Sequence, residues 1–164
     1  MHLKQLTDHY IRFNNWANQR LVRWLEQVPV DKLYEKVPSS FPSIDATLQH
    51  VLRTQRFWHL FILERDHSTV NWSVRENEAP QILRELEEVS SRMEDDFLTF
   101  TEETLTRKLV LDMPWAKNSL CRYEYIQHIV NHGTFHRGQV VTIARSVGLT
   151  SGVPNTDYNI FRCP

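Results

Sequence analysis

The stretch that decides the fold is residues 131–139, with the sequence NHGTFHRGQ, which lies inside a longer run of helical periodicity. It places His132 and His136 four residues apart, and residues at this spacing lie one above the other on the same face of a helix. Two imidazoles arranged in this way can bind one divalent cation. The stretch therefore predicts a helix over residues 122–147 that carries part of a metal site and stops at Gly148, a residue type favoured just after a helix end.

Three further segments show helical periodicity and are predicted as helices over residues 4–27, 44–65 and 80–100. Ser43 is suited to cap the second of these helices, and Pro80 fits the first turn of the third. The connection before the second helix is interrupted by prolines, and the connection after it is polar and irregular. Helix is therefore the main secondary structure expected in this chain.

Between the third and fourth predicted helices the periodicity changes, and residues 108–113 and 115–120 are predicted to form a short β-hairpin. The chain has four glycines, and the first of them is Gly133. A β-rich fold of this length would need more turn glycines. We therefore expect an all-α fold, a four-helix bundle formed by residues 1–164 as a single domain, with the hairpin before the last helix.

Composition narrows the function classes. The chain has 164 residues, of which 41% are hydrophobic and 24% charged, as is ordinary for a globular protein. Its 19 basic and 20 acidic residues give a net charge of −1, which disfavours direct nucleic-acid binding. No apolar stretch is long enough to span a membrane, and the N-terminus lacks the apolar core of a signal peptide. Cys121 and Cys163 do not make a disulfide framework, so a reduced, cytoplasmic protein is expected.

Three histidines form a ladder on the last predicted helix, namely His128, His132 and His136. The outer two are eight residues apart, which corresponds to roughly 12 Å along a helix, whereas metal–nitrogen bonds measure about 2.1 Å. One ion can therefore bind His128 with His132, or His132 with His136. The spacing alone leaves both pairs open.

The second predicted helix offers His50 and His59 as partners. His50 lies on an apolar stripe with Phe57 and Phe61 and is expected to point inward, whereas His59 lies nearer the edge of that stripe. A buried imidazole needs either a hydrogen bond or a metal bond to compensate for its loss of water. Three neutral imidazoles from two helices would leave coordination positions open, which metal catalysis requires.

Residues 132–139 resemble the C-terminal signature of the DinB family. Residues 10–18, with the sequence YIRFNNWAN, resemble the opening helix of that family, and His50 followed by Trp58 resembles its second helix. Residues 156–158 resemble its closing segment, so the resemblance covers nearly the whole chain. Carried over residue by residue, the metal triad of the family falls on His50, His132 and His136 and leaves His128 outside.

The resemblance implies a four-helix bundle in up-up-down-down order with a long crossover. It also implies one divalent metal ion, often zinc or nickel, and frequent homodimers. Iron and manganese can accept imidazole as well. Better-understood relatives transfer or isomerise small-molecule substrates with a low-molecular-weight thiol.

Two functions follow from these observations. The first is a metal-dependent enzyme acting on a small molecule, in which the metal acidifies a thiol for S-transfer or isomerisation, or a water for hydrolysis. The absence of a clear general base slightly favours the thiol chemistry. The second is a non-enzymatic, damage- or stress-inducible metal-binding protein. An enzyme predicts a deep pocket and an open coordination position at the metal, whereas a structural site predicts a fourth protein ligand.

Other polar residues have both structural and functional interpretations. Arg137 is expected to anchor a loop or to orient an anionic substrate, and Gly138 is expected to permit close approach of another helix. Three carboxylates are candidates for hydrogen bonds to a ligand imidazole, namely Asp45, Glu124 and Asp157. Three asparagines are expected on the surface of the first helix, with the first two also able to face the site, namely Asn14, Asn15 and Asn18. Cys121 lacks the local signature of a nucleophile.

Overall fold

The structure is a computed structural model, and it describes residues 2–161. Within that range the helices are α1 (Leu3–Leu25), α2 (Val30–Tyr34), α3 (Ile44–Ile62), α4 (Ala79–Leu98), α5 (Glu102–Thr106) and α6 (Arg122–Ser146), and the strands are β1 (Lys108–Met113) and β2 (Ala116–Cys121). The four long helices and the hairpin confirm the predicted elements. The short helices α2 and α5 were not predicted, because five residues are too few to establish a helical period.

Local chemistry explains where the long helices begin and end. The Ser43 hydroxyl oxygen accepts a hydrogen bond from the Ala46 N–H at 3.1 Å, which caps the start of α3. Pro80 lies in the first turn of α4, where its missing N–H costs no helical hydrogen bond. Gly148 follows α6 with a φ of 88°, a left-handed conformation that glycine adopts without steric cost. These three ends agree with the sequence prediction.

The hairpin is antiparallel and closes through a two-residue turn, Pro114-Trp115, since Met113 pairs with Ala116. Leu109 and Leu111 of β1 are buried, so one face of the hairpin packs against the bundle. The turn carries Trp115 outward, with 60% of its surface exposed.

Hydrogen bonds between helices fix their directions. Lys4, near the start of α1, donates to the carbonyl of Leu98 at the end of α4. Asn18, later in α1, donates to Ser90, which lies earlier in α4. Helices α1 and α4 are therefore antiparallel. Arg122, at the start of α6, donates to the carbonyl of Ile62 at the end of α3. Helices α3 and α6 are therefore antiparallel as well.

The remaining pairs complete the order. Gln55 bonds Ser90 and His59 bonds Asp96, so α3 and α4 run in the same direction. The first residues of α1 and of α6 both lie near α5. At the other end of the bundle, Trp24 near the end of α1 donates to the carbonyl of Ser151, which follows α6. Helices α1 and α6 are therefore parallel. The observed order of the long helices is up-down-down-up, whereas the family resemblance had implied up-up-down-down.

The long crossover that the resemblance implied is present, and it explains the order. It spans residues 63–78 and joins the parallel helices α3 and α4, so the chain must return along the whole bundle. The connection between α1 and α3 joins antiparallel helices and stays at one end. The core lies between the four long helices, and none of the helices formed by residues 2–161 has the length and apolarity needed to cross a membrane.

Candidate metal centre

The three predicted ligands lie together between two helices. His50 comes from α3, and His132 and His136 come from α6. The Nε2 atoms of His50 and His132 are 3.2 Å apart, and those of His136 and His132 are 3.0 Å apart. One ring nitrogen from each of the three residues lies within 4.8 Å of the others. The antiparallel packing of α3 on α6 thus brings together residues that are distant in sequence.

The spacing of these nitrogen atoms suits one divalent ion. Two nitrogens bound at about 2.1 Å to the same metal are about 3.0 Å apart at a right angle and about 3.4 Å apart at the tetrahedral angle. The two measured separations fall inside this interval. Among residues 2–161, no fourth histidine, cysteine, aspartate or glutamate joins the cluster. The protein therefore supplies three donors, and a metal in this position would have coordination sites left for other ligands.

Proton counting shows that hydrogen bonds alone do not satisfy the triad. The Nδ1 atom of His136 lies 2.7 Å from the Gln139 side-chain oxygen, which can only accept, so His136 carries its proton on Nδ1. The Nε2 atom of neutral His136 then has a free lone pair facing His132. Whether the Nε2 proton lies on His132 or on His50, it can satisfy only one of the two nitrogen–nitrogen contacts. A divalent cation that receives a lone pair from each of the three nitrogens would remove the need for these missing hydrogen bonds.

All three imidazoles are held in the neutral form that binds metals. Burial lowers the pKa of His50 to about 4 and that of His132 to about 3, with a further contribution from the neighbouring imidazoles. Burial also lowers the pKa of His136, although the hydrogen bond from Nδ1 to Gln139 opposes this change. The three side chains are therefore neutral at neutral pH, and binding of a cation would require at most a shift of tautomer and would release no protons there.

Aromatic side chains cover one side of the triad. Phe41, in the proline-bounded loop before α3, stacks on His50 with ring centroids 4.6 Å apart and meets His136 edge-on at 5.6 Å. Phe135 contacts His136 at 5.1 Å and is itself 62% exposed. Sequence reasoning did not find Phe41, because its contact with the triad exists only after the loop has folded back.

The other two candidate histidines lie outside the cluster. His128 is one turn before His132, and their ring centroids are 5.8 Å apart, but no ring nitrogen of His128 joins the group. His59 points towards α4, where its Nε2 atom lies 2.8 Å from an Asp96 carboxylate oxygen. The structure thus brings His132 together with His136 rather than with His128, as the family resemblance implied.

Gln139 is the residue that orients the imidazole of His136, and the three predicted carboxylates do not contact the triad in this way. Asp45 accepts a hydrogen bond from Gln49 at 2.9 Å, and burial raises its pKa. Glu124 accepts from the backbone N–H of Cys121 at 2.7 Å and so caps α6. Asp157 is exposed next to a 3₁₀ turn. The i, i+3 spacing from His136 to Gln139 on one helix was the available signal, since such residues face each other.

Arg137 has a structural role in the bundle. Its guanidinium is buried, donates to Asn14 at 3.1 Å and to Asn18 at 2.8 Å, and also donates to the Thr134 hydroxyl. No carboxylate of residues 2–161 pairs with it, and burial lowers its pKa to about 10. These contacts favour the interpretation that Arg137 stabilises the packing of α1 on α6 over the interpretation that it binds an anionic substrate. The prediction that Asn18 lies on the surface was wrong, because it is buried, whereas the burial of Asn14 and Asn15 agrees with the alternative that these two face inward.

The glycine that permits close helix packing is Gly133 and not Gly138. A Cβ atom at Gly133 would lie 2.8 Å from the Asn14 side-chain oxygen and 2.9 Å from Arg137 Nη1. A Cβ atom at Gly138 would meet nothing within 4 Å. The expectation for Gly138 was therefore wrong, since this glycine lies on an exposed face of α6.

The remaining predictions concern cysteines and cavities. Cys121 is partly buried at the start of α6 and free, whereas Cys163 lies outside the described residues. Two surface cavities of about 790 and 610 Å³ lie away from the triad, one beside Trp24 and residues 148–155 and the other beside His59. Neither is the deep pocket at the metal that an enzyme was expected to show.

The fold and the triad together define a helical-bundle protein with a candidate site for a divalent metal. A profile of the DinB family matches residues 1–162, and the chain belongs to the DinB family. It is 27% identical over 157 residues to Protein DinB of Bacillus subtilis (strain 168), covering 91% of this chain and 89% of that protein.

Two solved structures share the fold. A DinB-like protein from Bacillus subtilis superposes with a TM-score of 0.65 at 18% sequence identity, over 93% of this chain and 97% of the other. A DinB-like protein from Bacillus cereus ATCC 10987 gives a TM-score of 0.62 at 16% identity, over 88% of this chain and 91% of the other. At these identities the likeness concerns the arrangement of the helices.

Proposed function

We propose that this protein is a divalent-metal-dependent enzyme that acts on a small molecule, with the metal held by His50, His132 and His136. The observation that carries the proposal is the convergence of three neutral imidazole nitrogens without a fourth protein ligand among residues 2–161. Catalytic metal sites commonly combine three protein ligands with an open position, whereas structural sites are closed. Membership of the DinB family is compatible with a metal-binding protein.

The chain's own residues would prepare the site in three ways. Gln139 holds the His136 ring so that its Nε2 lone pair faces the cluster. Phe41 covers His50 and His136 and excludes water from that side. The Phe41 ring also keeps the imidazoles away from solvent, which maintains their low pKa values. A bound divalent cation supplies Lewis acidity that lowers the pKa of a water or a thiol next to it.

Thiol-dependent transfer or isomerisation is the reaction class we favour, with hydrolysis as the other chemistry at the same site. A thiol has an ordinary pKa of about 8.5, whereas that of water is about 15.7, so a thiol needs less help to lose its proton. His128 is the ionisable side chain in ring contact with the triad from outside, and burial lowers its pKa. His128 would therefore be a weak general base, which suits the more acidic thiol better than water. A low-molecular-weight thiol would be the cosubstrate.

Zinc or nickel is the metal we propose, with iron and manganese as further candidates that accept imidazole. Metal analysis of protein purified without a histidine tag tests this directly, because a tag supplies ligands of its own. One equivalent of metal in the wild-type protein and none in the His50→Ala variant is the expected result. Metal bound equally by both proteins would refute the triad as the site.

Activity should be screened with metal-loaded wild-type protein and with His50→Ala. The panel should combine thiols with electrophiles, and should include simple esters and amides. Turnover by the wild type that disappears with a chelator and in the variant supports the proposal. Turnover that survives both treatments cannot come from this site and would refute it.

A non-enzymatic metal-binding stress protein is the second candidate. It is favoured by the two cavities of about 790 and 610 Å³, both of which lie away from the triad. In that case the metal would stabilise the packing of α3 on α6. A metal that raises the melting temperature without any turnover on the broad panel would favour this function over the enzyme.

We also propose that the protein forms a homodimer. Several large apolar side chains outside the triad region are exposed, among them Val30 and Leu6, and the chain has more aromatic residues than one small core requires. Helical faces of this kind are suitable for a symmetric pairing of two copies. Light scattering at micromolar concentration should report twice the mass of one chain, and a monomer would refute the proposal.

A further inference from the structure

Four aromatic side chains from three different segments meet beside the candidate metal centre, and we call them the aromatic patch: Phe57, Trp58, Trp72 and Trp115. Phe57 and Trp58 belong to α3, Trp72 belongs to the crossover, and Trp115 lies at the tip of the hairpin. The Trp115 ring lies 5.7 Å from the Phe57 ring and 6.0 Å from the Trp58 ring. The Trp72 ring lies 6.2 Å from Phe57.

The two tryptophans from the loops are held at the surface. Trp72 is 52% exposed and Trp115 is 60% exposed, while Phe57 and Trp58 beneath them are buried. Large aromatic side chains usually contribute to stability by leaving water, so two half-exposed indoles on one aromatic base are unusual. Loops placed on a rigid scaffold are also where binding residues are commonly found.

The patch is continuous with the triad through His128. The Trp58 ring lies 4.9 Å from the His128 ring, which in turn lies 5.8 Å from the His132 ring. Along α6, His128 is about 6 Å from His132, and along α3, Phe57 is about 10 Å from His50. A molecule of ordinary metabolite size can therefore touch the metal position and the patch at once.

Phe41 covers the triad on the side that faces away from the aromatic patch. Phe41 stacks on His50 and His136 at the end of α3 where the helix begins, whereas the patch lies towards the end of the same helix. A ligand of the metal that extends along α3 away from Phe41 passes His128 and reaches Trp115. The ring nitrogens of His128 can exchange a hydrogen bond with a polar linker on this path.

We propose that the aromatic patch is the substrate-recognition subsite of the metal centre, and that the substrate carries a metal-seeking polar head joined to an uncharged aromatic group. The head lies at the triad, and the aromatic group stacks on Trp115 and Trp72. This inference rests on the proposed function. It adds that the substrate is an aromatic compound and that Trp115 determines specificity.

A second copy of the chain fits the patch less well than a small molecule does. The exposed parts of Trp72 and Trp115 amount to roughly 280 Å², given that a tryptophan exposes about 250 Å² at most. A stable interface buries about 800 Å² on each partner. The patch has the area of one aromatic group with its linker, and it is continuous with the triad.

The test compares two chelating probes on the zinc-loaded protein by calorimetry. Acetohydroxamate carries only the metal-binding head, and 3-phenylpropanohydroxamate adds an aromatic ring on a two-carbon linker. The aromatic probe should bind at least about tenfold more tightly to the wild-type protein, a difference of about 1.4 kcal/mol. Trp115→Ala should reduce this preference to less than about threefold without changing the affinity for acetohydroxamate.

Two control variants keep the result interpretable. Trp115→Phe retains an aromatic ring and should preserve most of the preference. Val110→Ala changes another exposed apolar residue of the same hairpin, 72% exposed, and should have no effect. A circular dichroism melt of each variant verifies that the bundle is folded.

The outcomes separate this inference from the proposed function. Tight binding of acetohydroxamate without a preference for the aromatic probe refutes the subsite and leaves the metal centre standing. A preference that survives Trp115→Ala also refutes the subsite. Failure of both probes to bind the zinc-loaded protein refutes the open metal centre and the subsite together. A change of mass in light scattering on Trp115→Ala shows an interface between copies instead and overturns the proposal.

Discussion

The Nε2 atoms of His50 and His132 lie 3.2 Å apart, although the two residues are separated by 82 positions in the chain. The contact crosses the interface of two antiparallel helices, so its length depends on the relative position of α3 and α6. His136 adds a second short nitrogen contact from the next turn of α6. Anything bound between these three rings would link the two helices, and this has consequences that can be measured.

Replacement of His132 should abolish metal binding. His132→Ala removes the central nitrogen of the triad and should weaken binding of zinc by more than about a hundredfold, because even residues that only support a ligand contribute tenfold to a hundredfold. The matched control is His128→Ala, one turn earlier on the same helix, which should retain the metal. Calorimetric titration of both chelated proteins checks this. Equal losses in the two variants would show that His128 is a ligand.

Gln139 should contribute to metal affinity without touching the metal. Gln139→Met keeps the side-chain length but removes the oxygen that accepts from His136, so zinc affinity should fall by about tenfold to a hundredfold. Gln139→Glu restores an acceptor and should recover most of the affinity. If the two variants bind zinc equally well, the hydrogen bond does not orient the ligand.

The metal-free protein should become less stable as the pH is lowered from about 6.5 towards 4. The pKa of His50 is about 4 in the folded protein and about 6.5 in the unfolded chain, so within this interval the unfolded chain binds more protons. Protonation then favours unfolding, while above pH 6.5 this group has no effect. Urea unfolding of chelated protein at several pH values measures the dependence.

The matched comparison for the pH dependence is His50→Gln, which lacks the titrating imidazole. Its stability should vary less with pH between about 4 and 6.5 than that of the wild-type protein. Parallel curves for the two proteins would contradict the low pKa of His50. Protonation of His50 and His132 should not weaken metal binding by the wild type until the pH falls below about 5, because their pKa values in the folded protein are about 4 and about 3.

Two helical glycines should respond to alanine in opposite directions. Gly133→Ala forces a Cβ atom to within 2.8 Å of the Asn14 side-chain oxygen and should lower the free energy of unfolding by about 1–3 kcal/mol. Gly138→Ala meets nothing within 4 Å and should raise it by about 0.5–1 kcal/mol, since alanine favours helix. Urea titration measures both, and a stabilising Gly133→Ala would contradict the close packing of α1 on α6.

The long helices and the hairpin could be predicted because each is specified by neighbouring residues. Apolar spacing marks the helical faces, and Ser43, Pro80 and Gly148 mark three helix ends within one residue of the predicted positions. The pair His132 and His136 was also predictable, since a helix fixes the relation of residues four apart. His50 was a candidate because it lies on an apolar stripe, and the family resemblance selected it as the third ligand, because no local rule relates α3 to α6.

Only the tertiary structure decided which polar side chains lie inside. Asn14, Asn18 and Arg137 form a buried hydrogen-bonded group, and the local pattern of α1 did not distinguish its buried asparagines from surface ones. The same holds for Gly133, whose role depends on how closely α1 approaches α6. Burial of a polar side chain depends on a partner from another helix, and that partner is not encoded nearby.

The sequence by itself determined the helices, the hairpin and one turn of the metal site, because hydrogen bonds within an element and side-chain periodicity act over a few residues. The tertiary structure decided the up-down-down-up order, the contact of His50 with His132, and the contacts that Trp72 and Trp115 each make with Phe57. These depend on the path of a long crossover and on how whole helical faces pack, so they involve residues far apart in the chain. The local elements are therefore readable from the sequence, whereas the site is a property of their assembly.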